Sequence, residues 1–231
     1  MDDPARIARD LARTVRARAL FQGKRRAAPA PPPESRPAAL QDLEGVRSEA
    51  MACRRCGLCE TRTTVVFGEG DASAELMFVG EAPGQDEDEQ GRPFVGRAGR
   101  LLNDMIRGMG LERGQVYICN VLKCRPPGNR APAPEEVEAC RPFLRRQIEA
   151  VAPKVLCALG SHATRALLGR SEGITKLRGK VFQGWGTQVV PTFHPAYLLR
   201  NPAAKREAWE DLKLVLGLLG RPVPPPRERE R

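Results

Sequence analysis

The amino-acid sequence predicts an α/β fold: one domain of three α/β/α layers, with a mostly parallel central sheet covered by helices on both faces. Three observations lead there. Four short, β-branched apolar runs recur along the middle of the chain, amphipathic stretches of helical spacing separate them, and polar or glycine-rich residues follow the runs directly. Strands that alternate with helices pair in parallel, and a parallel sheet needs both faces covered.

Strands are expected over 75–80, 115–120, 154–160 and 188–193. Helices are expected over 98–109, where Leu101, Leu102, Met105, Ile106 and Met109 share a face, and over 134–151, which opens with Pro-Glu-Glu. Two more are expected over 162–168 and 203–219. The domain runs from 38 to 220. Residues 1–37 form a basic extension, with an arginine-rich stretch over 4–22 and a Pro/Ala-rich linker over 27–37, and 221–231 form a Pro-rich charged tail. Both ends are expected to be disordered.

Composition narrows the setting. No run nears the roughly 18 apolar residues of a membrane span, and the N-terminus has no signal-peptide core. A soluble, cytoplasmic protein is expected. Seven cysteines in a reducing compartment point to metal ligands or core residues rather than disulfides. The net charge of +10 points to an anionic partner, with nucleic acid first. Residues 1–37 contribute +5 and residues 221–231 contribute +2, so the domain itself carries only +3.

In open α/β sheets ligands bind beyond the carboxyl ends of the strands. Three expected strands end in Gly80-Glu81-Ala82-Pro83-Gly84, in Asn120 and in His194-Pro195. The glycine turn lets backbone approach a ligand closely. An acidic stretch follows, with Asp86, Asp88 and Glu89 expected in a solvated loop; Phe94, between Pro93 and Val95-Gly96, offers a ring to a flat ligand. Asn120 either caps a turn or offers a carboxamide whose one acceptor and two donors match an adjacent carbonyl and N–H, as on a uracil edge. His194 precedes a segment with two exposed-looking leucines, Leu198 and Leu199, and then Arg200, which suits an apolar wedge followed by a phosphate ligand. His162, at a helix start, is expected to be structural.

Cys53 and Cys56 form a CxxC; Cys124 follows after 67 intervening residues and Cys140 after 15 more. Four thiolates build either a structural zinc site or an iron–sulfur cluster, and the spacing does not separate the two. Cys59 repeats the CxxC interval, while Cys119 and Cys157 fall within expected strands and read as core.

Together these segments resemble the family 4 uracil-DNA glycosylases, the iron–sulfur branch of the uracil glycosylase superfamily found in bacteria and archaea. The resemblance spans about 51–219. It rests on the Gly80–Gly84 turn, the Gly91-Arg-Pro-Phe-Val-Gly-Arg-Ala-Gly99 run, the Tyr117–Asn120 strand end, the Lys123–Pro132 segment and His194–Pro202. It implies a 4Fe–4S cluster on Cys53, Cys56, Cys124 and Cys140, with Cys59 outside it. It further implies that Gly80, Glu81 and Ala82 place backbone against uracil, Phe94 stacks on the base, Asn120 reads its pairing edge and His194 bonds its O2. By the same resemblance Leu198 enters the base stack, with Arg200 on the backbone, and Glu87 fills the space of a thymine methyl or orients water. The best-known branch carries a water-activating aspartate where this chain has Ala82, which leaves Glu81 or Glu87 for that task. The implied function is hydrolysis of the N-glycosidic bond of uracil in single- or double-stranded DNA during base-excision repair, by a monomer. The alternative is a relative that binds uracil-DNA with little turnover.

Overall fold

The computed structural model describes residues 36–225. The arginine-rich stretch over 4–22, the linker up to residue 35 and the tail beyond residue 225 lie outside them. Helix α1 (Arg36–Met51) begins inside the segment expected as an extension. The short helix α2 (Leu58–Thr61) and strands β1 (Glu69–Gly70) and β2 (Leu76–Gly80) follow. Next come α3 (Gln85–Gln90), α4 (Arg97–Gly108), β3 (Tyr117–Asn120), α5 (Pro134–Val151), β4 (Val155–Leu159) and α6 (Gly160–Leu168). The chain continues through α7 (Ile174–Leu177), β5 (Phe182–Gly184), β6 (Thr187–Thr192), α8 (Pro195–Arg200) and α9 (Lys205–Leu218).

The six strands form one sheet in the order β1-β3-β2-β4-β6-β5. Its four central strands are parallel, as expected, and the short edge strands β1 and β5 are antiparallel. Successive side chains of a strand face opposite ways, and β2 divides accordingly. Leu76 and Phe78 pack against Leu102 and Ile106 of α4 and Leu212, Val215 and Leu216 of α9. Met77 and Val79 face Leu144 and Ile148 of α5 and Ala163 and Leu167 of α6. Each fully buried Leu, Ile or Phe contributes about 1.5–3 kcal/mol, so both layers hold the sheet strongly. A smaller core joins α1 and α2 to α5 through Val46, Ala50, Leu58 and Phe143. Among the described residues no helix is long and apolar enough to cross a membrane.

This topology positions the site. The chain passes from β2 out to β3 and then returns across β2 to β4, so the winding reverses beside β2. A crevice opens at such a reversal. Strand β6, which leads into His194, is pinned from below. Asp211 of α9 is fully buried and accepts from Thr192 Oγ1 at 2.7 Å and from Arg178 Nε and Nη2 at 3.0 and 2.9 Å. Removing Asp211 leaves the buried Thr192 hydroxyl unpaired while Arg178 keeps Glu207, at a cost of about 1–3 kcal/mol. Asp211→Ala is therefore expected to lower the unfolding free energy by that amount in urea titration, and a loss below about 1 kcal/mol would contradict the clamp.

Candidate active site

Register brings the strand-end residues together. In the parallel β2–β3 ladder Gly80 lies opposite Asn120. The pairing continues past the strands, with Val121 N–H donating to Gly80 O at 2.9 Å and Leu122 N–H to Glu81 O at 3.0 Å. Leu159 pairs with Thr192 across β4 and β6, which sets Gly160 beneath His194. Glu81, Phe94, Asn120, His194 and Arg200 line a single cleft of about 490 Å³.

Asn120 is the floor of this cleft. It is 2% exposed, and its carboxamide oxygen has no hydrogen-bond partner among the described residues. Gly80 is what admits it. A Cβ on Gly80 would fall 2.3 Å from that oxygen and 2.5 Å from Phe94 Cζ, so both side chains occupy space that any other residue would need. Phe94 holds a left-handed backbone (φ 52°), uncommon and strained for a bulky residue. Its carbonyl abuts Gly99 of α4, where a Cβ would lie 1.9 Å away, and Arg113 Nη2 donates to the neighbouring Pro93 carbonyl at 2.5 Å. The fold thus fixes the ring against Gly80 and 5.7 Å from the His194 ring.

His194 is the N-cap of α8. Its Nδ1 accepts from Ala196 N–H at 3.1 Å, so the ring proton resides on Nε2, its one remaining donor. Burial, then the nearby Arg200 and His162, pull its pKa down to about 4. The ring is a neutral donor across the neutral range.

The acidic residues divide by partner. Glu81 Oε2 lies 2.8 Å from His162 Nδ1 on α6, so His162 contacts a cleft residue rather than serving the fold alone. Glu81 also lines a second cavity of about 310 Å³ beside Trp185 and Leu144. Glu87 borders the cleft, but its carboxylate is engaged. One oxygen accepts from Val95 and Gly96 N–H at 2.9 Å each, and the other from Gly84 N–H at 3.0 Å. Glu87 therefore ties the two ends of the Phe94 loop together. The expected acidic loop is helix α3. Asp86 and Glu89 are exposed as anticipated. Asp88 is 2% exposed because Thr63 and Thr64 N–H reach its carboxylate from 25 and 24 residues upstream.

Leu198 requires a correction. It is 1% exposed and packs with Phe193, Ala204 and Ala208, because α8 turns that side inward. Tyr197, 38% exposed and stacked on Phe193, stands at the cleft mouth with Arg200. Asn129 also lines the cleft, and nothing in its Pro-Gly-Asn setting signals that. Arg130 lines the cleft while donating to Glu136 of α5, and Arg125 Nε donates to Asn129 Oδ1 at 2.8 Å.

Cys53, Cys56, Cys59, Cys124 and Cys140 line one recess between α1, α2 and α5. Among the described residues no three such side chains are placed to hold a single metal ion. Burial pushes the Cys140 thiol up to about 11 and raises Cys56 and Cys124 as well. Donors already face the sulfurs: Arg62 Nη1 lies 3.2 Å from Cys124 Sγ, and Lys123 N–H faces Cys140. Cys119 and Cys157 are core residues, as read from the sequence.

Two outcomes test this geometry. The folded pKa of His194 lies below its ordinary 6.5, so as pH falls the unfolded chain takes the proton first, and stability contributed by the neutral ring above 6.5 is lost on the way to 4. NMR titration of His194 is expected to give a midpoint near 4, and one near 6.5 would contradict its buried setting. Gly80→Ala is expected to displace Asn120 and Phe94 and to close the cleft. A crystal structure of that variant with both side chains unmoved would contradict the packing.

The uracil DNA glycosylase superfamily signature matches residues 67–213. The chain is 46% identical over 186 residues to a type-4 uracil-DNA glycosylase of Sulfurisphaera tokodaii, covering 76% of this chain and 84% of the relative. It is 44% identical to a type-4 uracil-DNA glycosylase of Archaeoglobus fulgidus, over 80% of this chain and 97% of that one. A third, from Thermotoga maritima, is 49% identical over 74% of this chain and 91% of its own. The chain belongs to the uracil DNA glycosylase superfamily and to its type-4 branch, a family of hydrolases.

Proposed function

We propose that this protein hydrolyses the N-glycosidic bond of uracil in DNA, releasing free uracil and leaving an abasic site. The observation that carries the reading is the buried, unpartnered carboxamide oxygen of Asn120 at the floor of a cleft bordered by Phe94. A buried acceptor left unpaired costs about 1–3 kcal/mol. The imide N–H of uracil satisfies it, while the carboxamide N–H₂ donates to the adjacent carbonyl. Cytosine offers an acceptor and a donor in the opposite order, so a fixed Asn120 rejects it.

The remaining roles follow from what each side chain has free. The target nucleotide must leave the duplex, which costs a few kcal/mol. Arg200 and Tyr197 at the mouth supply a phosphate contact and an aromatic face that offset part of this. Phe94 stacks on the extruded base. As the bond breaks, negative charge gathers on uracil O2 and positive charge on the sugar. The Nε2–H of His194 meets the developing anion more strongly than the neutral base, a preference worth about 3–4 kcal/mol. Glu81, held by His162, orients the attacking water, since the Glu87 oxygens already serve main-chain N–H groups.

The cysteine recess fits a 4Fe–4S cluster on Cys53, Cys56, Cys124 and Cys140. Metal binding displaces thiol protons, and Arg62 and the Lys123 N–H are placed to stabilise the resulting thiolates. Five thiols line the recess, and Cys59 is the one this ligand set leaves out. Bound there, the cluster would cross-link the α1–α2 connection, α5 and the segment after β3.

His194→Ala is expected to slow single-turnover uracil excision about a hundred- to thousandfold with binding partly retained. Asn120→Asp is expected to weaken uracil discrimination and admit cytosine. Near-wild-type excision in the first variant, or unchanged uracil kinetics in the second, would sink the assignment. Cys124→Ser is expected to lose iron and acid-labile sulfide and to melt at lower temperature; full iron content would overturn the ligand set.

A further inference from the structure

Lys123 is 2% exposed, the one lysine in the buried core among the described residues. An interior lysine is costly unless its charge is paired or hydrogen-bonded. Its Nζ donates to the main-chain carbonyl of Asn120 at 2.6 Å, rests against the Cys119 thiol and lies 6.0 Å from the centre of the Phe67 ring. The backbone of the same residue points the other way. Its N–H faces the Cys140 sulfur, its carbonyl accepts from Val66 N–H at 2.8 Å, and the next residue is Cys124. One residue thus touches the cleft floor and the cysteine recess together.

This matters because discrimination by Asn120 needs a carboxamide that stays put. A rotated amide would present its donors where uracil also has a donor and would match cytosine. Among the described residues its side-chain oxygen has no partner to hold it, so its orientation depends on how firmly the main chain beneath is fixed. The β2–β3 ladder fixes that chain on one side, and Lys123 Nζ is the contact on its carbonyl.

We propose that Lys123 is a positioning, specificity-determining residue that couples the cysteine recess to Asn120 and so holds the base-reading carboxamide in register. The proposal rests on the base-reading role given to Asn120 above. It also gives the recess a consequence at the cleft beyond bracing the fold.

The test compares wild type, Lys123→Met, Lys123→Arg and Asn120→Ala in the full chain as purified. The readouts are affinity for duplexes bearing the uncleavable 2′-fluoro analogues of deoxyuridine and deoxycytidine, single-turnover excision rates, iron content and thermal midpoint. Lys123→Met is expected to lower the uracil-to-cytosine affinity ratio about tenfold, with a larger effect on the excision rate than on binding of a uracil duplex. Lys123→Arg, which keeps the cation and a donor, is expected to recover most of the ratio. A folded Lys123→Met with the wild-type ratio, alongside an Asn120→Ala that has lost it, overturns the proposal. If Lys123→Met does not fold, Lys123→Gln replaces it, and a wild-type ratio there overturns the proposal equally. An Asn120→Ala that keeps the ratio instead refutes base reading itself, and the role of Lys123 with it.

Discussion

Gly80 has room for a hydrogen and nothing more. The Asn120 carboxamide and the Phe94 ring both press into the space where a side chain would begin, and the arrangement of the cleft follows from that contact. The β2–β3 register puts Asn120 there. The left-handed backbone of Phe94, its close approach to Gly99 and the Glu87 brace put the ring there. Four local constraints, none of them energetically large, converge beside one polar atom that has no partner among the described residues.

The rest of the cleft is organised by charge and partner count. His194 spends Nδ1 on capping α8, and burial keeps it neutral, so a single donor remains on Nε2. Of the carboxylates at the cleft, Glu87 is occupied by main-chain N–H groups and Glu81 keeps one oxygen beyond its contact with His162. Counting free donors and acceptors separates residues that act on a ligand from residues that hold the wall.

Much of this was legible in the sequence, because the parallel sheet writes itself as buried apolar runs and its ligand crevice as the residues that follow them. The four central strands and the four long helices after residue 95 lie where periodicity puts them, within a few residues. Helix α1 escaped notice beside a Pro-rich, charged stretch, although Leu43, Val46 and Ala50 repeat at helical spacing and pack against the cores. Strands β1 and β5 are two and three residues long, too short for any period to show. Asp88 looks solvated until Thr63 and Thr64 arrive from another part of the chain. Leu198 looks exposed between prolines, yet a six-residue helix rolls it inward. His162 looks structural because its partner lies after a different strand. For Asp88 and His162 the deciding neighbour is distant in sequence.

On the reading proposed above, Asn120 keeps its carboxamide oxygen free for the N–H of a base. A crystal structure of the protein with free uracil tests it most directly. The expected structure has the uracil ring against Phe94, its imide N–H on the Asn120 oxygen and its O2 on His194 Nε2. Uracil bound outside the cleft, or an Asn120 oxygen paired instead to a protein group, would contradict it.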